Sequence, residues 1–198
     1  MSVTELSAGF SDKVLAAQST FRAVMEAMAR PGSVQRVTAE VGVVPGLMPS
    51  AAAIALTLFD HDTPIWLNAQ LAASGVAAWL KFHTGAPVTT KSAEASFALV
   101  TDGASLPALE DFALGSSEYP DRSTTVILQV QSLGEGRAYE LQGPGIEGAV
   151  RLNATIAPAD LFERLGLNAK LFPRGIDFVL VHEDAMVAIP RTTRLVGV

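Results

Sequence analysis

The side chains with the most obvious chemical use in this sequence are arginines beside hydroxyls. Ten of the 14 basic residues are Arg, whose planar fork grips an oxyanion such as phosphate at two points where Lys offers only a point charge. Arg191 stands in Ile189-Pro190-Arg191-Thr192-Thr193, Arg174 between Pro173 and Gly175, and Arg30 just before Pro31-Gly32. His83 adds a side chain whose reference pKa lies near neutrality, suited to general acid or base work. Arg191, Thr192, Thr193, Arg174 and His83 are therefore the candidates for holding an anionic substrate, and no catalytic residue is assigned. The competing reading makes each Arg a helix cap or the partner of a carboxylate. It is preferred for Arg30, and for Arg191 both stay open. A structural role is equally the preferred reading of His83.

Other constellations are weaker. Asp60-His61-Asp62 and His83 supply nitrogen and oxygen ligands, but neither an H-x-x-x-H spacing nor a calcium loop accompanies them, and no metal is expected. Gly143-Pro144-Gly145-Ile146-Glu147-Gly148 has the spacing of a dinucleotide loop. Such a loop must open a helix whose N-terminus faces the pyrophosphate, whereas Ala149 to Ile156 alternates like a strand. A turn or bulge is the expected role. Lys13, Lys81, Lys91 and Lys170 leave a pyridoxal Schiff base formally open, but nothing around them identifies one.

The elements that must position these residues are legible from periodicity. Val14, Phe21, Val24, Met25 and Met28 form one stripe of a helix over 11–29, which Pro31-Gly32 ends. A short strand and a Gly/Pro-rich turn fill 33–46. The run 50–59 reads as a small-residue helix buried in the core, because Pro45 and Pro49 break the uncharged stretch from Val41 before it reaches membrane-spanning length. The turn 60–64 opens into strand Ile65-Trp66-Leu67. A helix is expected over 71–82 and a buried strand over 97–100. Thr124 to Val130 and Tyr139 to Gln142 read as a hairpin, 158–165 as a helix, and 177–181 with 186–189 as a second hairpin around His182-Glu183-Asp184. Pro31-Gly32, Pro64 and Pro190 are expected to fix turns, and Trp66 and Phe82 to fill core or interface.

Length and composition set the frame. The 198 residues suffice for one domain, 1–198, with a sizeable core. Hydrophobic residues at 49%, charged residues at 17% and a mean hydropathy of +0.32 exclude global disorder. A net charge of −6 opposes general binding to nucleic acid or anionic lipid. With no Cys there are no disulfides, thiolate metal sites, iron–sulfur clusters or cysteine nucleophiles. Glu5, Asp12 and Lys13 interrupt any signal-like opening, so a cytoplasmic protein without a membrane segment is expected. The expected fold is α/β, a mixed sheet flanked by helices in a layered single domain.

Taken in order, seven segments resemble one family, the PhnH subunit of the bacterial carbon–phosphorus lyase system. They are Phe21 to Gly32 (FRAVMEAMARPG), Asp60 to Leu67 (DHDTPIWL), Phe82 to Pro87 (FHTGAP), Thr124 to Val130 (TTVILQV), Leu141 to Ile146 (LQGPGI), Phe172 to Asp177 (FPRGID) and Ala188 to Thr193 (AIPRTT). Each alone is weak, and their order over nearly the whole chain is specific. The stretch 101–121 is the least family-like.

The resemblance implies a fold like that of pyridoxal-phosphate-dependent transferases but without the cofactor. It implies a subunit of a core complex with PhnG, PhnI and PhnJ as partners, and a homodimer when isolated. That core, with an ATPase-like partner, moves the ribose triphosphate of ATP onto an alkylphosphonate and displaces adenine; the iron–sulfur cluster needed for later radical cleavage belongs to another subunit. The family carries over no catalytic residue, so the five candidates rest on chemistry alone as donors to a phosphonate or an ATP-derived ligand. The alternative function is an autonomous phosphonate- or nucleotide-binding protein or enzyme with an arginine-lined pocket.

Overall fold

The computed structural model describes residues 8–158 and 160–196. Helix α1, Lys13–Ala29, begins where the Asp12 carboxylate accepts the backbone N–H groups of Val14 and Leu15, both at 3.1 Å. It stops at Arg30, and Gly32, at φ +82°, turns the chain away. The expected apolar stripe is only partly buried. Val24 is covered, but Val14, Phe21 and Met25 are 67%, 49% and 53% exposed. The inward face is Ala16, Thr20, Val24 and Ala27. These smaller side chains let α1 lie close on its neighbours and turn the bulky residues outward.

Strand β1, Gln35–Arg36, precedes helix α2, Pro49–Leu58, whose residues from Ser50 to Ala55 are all buried. Pro49 sits in its first turn, where a missing N–H costs nothing. Next comes β2, Ile65–Leu67, as expected. The helix expected over 71–82 is two pieces, α3 at Ala69–Ala72 and α4 at Val76–Thr84. Ser74 separates them: its hydroxyl donates to the Leu71 carbonyl at 2.7 Å and accepts the Val76 N–H at 3.2 Å. Phe82, expected in core or interface, is 70% exposed in this chain. Trp66 packs edge-on against Phe112.

The remaining strands are β3 (Val88–Thr89), β4 (Phe97–Val100), β5 (Thr125–Gln129), β6 (Ser132–Gln142), β7 (Val150–Thr155), β8 (Asp177–His182), β9 (Ala185–Ile189) and β10 (Arg194–Val196). Helix α5 spans Leu161–Ala169, later than expected, because Pro158 belongs to the preceding turn and its carbonyl accepts the Leu161 N–H at 3.1 Å. Its expected apolar face, Leu161, Phe162 and Leu165, is buried.

Seven strands form one mixed sheet in the order β1-β9-β8-β5-β4-β2-β3. From β8 to β3 neighbours run parallel, while β9 is antiparallel to β8 and β1 to β9. The hairpin of β8 and β9 is thus as read from the sequence, with Glu183 at φ +51° in its turn. The other expected hairpin is not formed. β5 stays in the main sheet between β4 and β8, and the chain then crosses to a second sheet of order β10-β6-β7. The Val130 N–H still bonds Val181, but the Gln131 N–H already bonds Thr155 of the second sheet. A backbone that changes sheets within two residues leaves no trace in hydrophobic periodicity.

The central strands are covered on both sides, which explains their nearly continuous apolar sequences. On one face α1, α2 and α4 pack over Leu99, Ile127 and Val179. On the other, Ala98, Val126 and Phe178 meet the second sheet and α5, where Tyr139 stacks on Phe162 with ring centroids 3.5 Å apart. The result is one mixed α/β domain of three layers. Among the described residues no helix is long and apolar enough to cross a membrane.

Candidate functional site

Every candidate from the sequence lies at one margin of the main sheet, where the parallel strands begin. Arg191, Thr192 and Thr193 follow β9, whose antiparallel course returns them to the start of β8. Arg174 precedes β8, and His83 ends α4 just ahead of β3.

Arg191 is the centre of this margin. Its side chain is 13% exposed and pairs with Asp177, 12% exposed, at 2.5 Å. The guanidinium donates through Nε to Asp177 Oδ1 at 3.1 Å and through Nη2 to Asp177 Oδ2 and Ser123 Oγ. Nη1 donates to the Pro120 carbonyl at 2.6 Å and, at 3.5 Å, to that of Pro173. The Arg191 backbone N–H also donates to Asp177 Oδ1, at 2.8 Å. All five guanidinium N–H groups therefore have protein acceptors. The cluster ties the end of β9, the start of β8 and the loop ahead of β5 into one knot. In this chain Arg191 takes the second of the two roles left open by the sequence, the partner of a carboxylate, and its fork is engaged by protein acceptors.

Local geometry favours this knot. Gly175, at φ +127°, lets the chain turn into β8, and a Cβ there would lie 2.8 Å from Asn168 Oδ1 and 3.4 Å from Arg191 Cβ. The Asn168 side chain in turn accepts from the Ile176 N–H at 2.9 Å and donates to the Ile176 carbonyl at 2.8 Å, closing the end of α5 onto β8. Beside the knot is a small cleft of about 310 Å³ lined by Phe172, Pro173, Pro190 and Thr192, with Arg191 and Asp177 in its wall.

The other candidates do not converge on Arg191. Thr192 borders the cleft, but Thr193 is buried, and its hydroxyl has no hydrogen-bond partner among the described residues. Arg174 is exposed. His83 belongs to another neighbourhood, with its ring 5.0 Å from that of Trp79 and 4.9 Å from that of Phe82. Four interstrand steps separate β8 from β3, a distance of roughly 19 Å at about 4.8 Å per step. One substrate of phosphonate size does not span it. Arg30 pairs with Glu26 at 3.0 Å on the surface, the role preferred for it from the sequence.

The glycine motif at 143–148 is a turn. Ile146 N–H bonds the Gly143 carbonyl at 3.1 Å, and strand β7 follows, not a helix. Gly143 and Gly145 let this turn approach Thr192 and the end of α1. At the opposite margin, where the parallel strands end and open α/β sheets usually bind ligands, Gln129 ties a loop over β5. Its Oε1 accepts the Met48 N–H at 2.6 Å and its Nε2 donates to the Gly46 carbonyl at 3.1 Å.

Sequence reasoning missed Asp177 and Ser123, the acceptors that employ Arg191. The available signal was a carboxylate opening the otherwise apolar strand Asp177-Phe178-Val179-Leu180-Val181, since such a charge must find a partner on burial.

Fold and margin together define a layered α/β protein whose buried ion pair staples its sheet. Its acid–base and cationic candidates are not gathered into one constellation. The chain belongs to the bacterial phosphonate metabolism protein (PhnH) family, whose model matches residues 8–196. It is 42% identical over 189 residues to alpha-D-ribose 1-methylphosphonate 5-triphosphate synthase subunit PhnH of Rhizobium meliloti (strain 1021), covering 96% of this chain and 94% of that one. It is also 37% identical over 110 residues to a Stutzerimonas stutzeri protein named "Putative C-P lyase subunit protein HtxG", covering 54% of this chain and 55% of that one.

Proposed function

We propose that this chain is a supporting subunit of a carbon–phosphorus lyase core complex in phosphonate catabolism. The observation that carries the reading is its match, over 96% of its length, to a synthase subunit. The reaction joins a phosphonate oxygen to the ribose anomeric carbon of ATP and breaks the bond from that carbon to adenine, which leaves with a proton. Saturation of Arg191 and the separation of His83 from it favour a supporting role over an autonomous arginine-lined site. Partners of the PhnG, PhnI and PhnJ type, a cytoplasmic location and one domain over the chain belong to the same reading. So does a fold of the pyridoxal-phosphate-dependent transferase kind that holds no cofactor. Self-association of the isolated chain as a homodimer finds support in the apolar face that α1 leaves open at Val14, Leu15, Phe21 and Met25.

The test is to co-express a tagged chain with its candidate siblings, size the eluate against the chain purified alone, and assay both for adenine release from ATP and methylphosphonate. Expected are a stoichiometric assembly, a dimer for the chain alone, and adenine release only from the assembly with its ATPase-like partner. Turnover by the single chain would overturn the supporting role.

A further inference from the structure

Helix α5 and the segment ahead of β5 border an open cavity of about 620 Å³, within the volume range of small-molecule sites. It shares no lining residue with the cleft beside Arg191. Leu106 and Leu109 form one wall, and Leu167 of α5 forms part of the other. Three charged residues, Glu110, Asp160 and Arg164, border it. Arg164 and Leu167 share one face of α5, and Asp160, its N-cap residue, stands one turn ahead of Arg164.

Arg164 is held but not saturated. One Nη2 hydrogen bond, to the Pro107 carbonyl, anchors the guanidinium against the opposite wall. The other N–H groups of its fork meet no acceptor among the described residues, and neither Glu110 nor Asp160 forms an ion pair with it. One cation and two carboxylates thus border a largely leucine-walled space with their charges unspent on one another.

That balance selects among ligands. A simple oxyanion would gain Arg164 but meet two carboxylates. A simple amine would gain the carboxylates and leave the Arg164 fork unused. A molecule carrying both charges satisfies both, and an aliphatic stem between them covers the leucines.

We propose that this cavity binds an aliphatic zwitterion, with its oxyanion head on Arg164, its ammonium group beside Glu110 and Asp160, and its stem against Leu106, Leu109 and Leu167. The head is a carboxylate or a phosphonate. The inference does not depend on the complex proposed above, because it rests on this cavity alone.

Calorimetric titration of the full chain tests it with four probes: γ-aminobutyrate, γ-aminopropylphosphonate, propylphosphonate and propylamine. At least one zwitterion is expected to bind about tenfold more tightly than either singly charged probe, and the tighter of the two zwitterions identifies the head. Glu110 is exposed and makes no side-chain hydrogen bond among the described residues, so Glu110→Gln leaves folding intact. It should weaken the zwitterion several-fold without weakening propylphosphonate, while Arg164→Gln should weaken both. Silence from both zwitterions at millimolar concentration would overturn the proposal, as would equal affinity for zwitterion and propylphosphonate, or a Glu110→Gln chain that binds the zwitterion unchanged.

Discussion

Arg191 and Arg164 are both partly buried, and both sit near the junction of α5 with the main sheet, yet their surroundings put them to opposite use. Around Arg191 a carboxylate, a hydroxyl and two carbonyls take up the whole fork. Around Arg164 a single carbonyl fixes the head and leaves the remaining donors beside a cavity. What a guanidinium does is decided by how many of its N–H groups the protein itself satisfies. A saturated fork holds segments together, and an unsaturated one at a cavity holds something else.

The sharpest way to break this comparison is Arg191→Ala. Removing one partner of a buried pair leaves Asp177 uncompensated, at a cost of about 3–5 kcal/mol. At about 2–4 °C per kcal/mol for a domain of this size, the melting temperature should fall by roughly 10 °C. A calorimetric scan showing an unchanged melting temperature would mean that the fork is not a staple and would return Arg191 to the list of ligand contacts.

Gly175→Ala probes the same knot more gently. At φ +127°, with Asn168 Oδ1 2.8 Å from the new Cβ, it should cost about 1–3 kcal/mol, read as a lower urea midpoint with the slope unchanged. No shift would show that the turn into β8 tolerates a side chain.

Arg164→Ala should be the mildest of the three. It removes one hydrogen bond to a carbonyl, about 1 kcal/mol. A loss matching that of Arg191→Ala would erase the distinction and make Arg164 a second staple.

Much of the fold was legible locally. Strands Ile65–Leu67 and Phe97–Val100 and the β8–β9 hairpin stand where alternation and turn residues put them, because apolar runs bounded by turn residues report burial directly. The α1 stripe was misread for an equally physical reason. Val14, Phe21 and Met25 have the spacing of a core face, but the closer fit of Ala16, Thr20 and Ala27 against the sheet and α2 turned them outward. The hairpin read into 124–142 failed because β5 found its partners, β4 and β8, at long sequence separation.

The same division holds for the site. Residue order and type, from Phe21-Arg22 through Arg191-Thr192-Thr193, were enough to point to the family, and the strand after Gly148 was enough to exclude a dinucleotide loop. Those properties reside in short stretches of chain. Only the tertiary structure decided that Arg191 meets Asp177 and Ser123, that His83 stands across the sheet, and that Glu110 faces the same cavity as Arg164. Each of these depends on pairing between distant segments. Hydrogen bonding and ion pairing act over a few ångströms, so the partner of a charged side chain is chosen by which strands and helices pack together, and local sequence carries no measure of that distance.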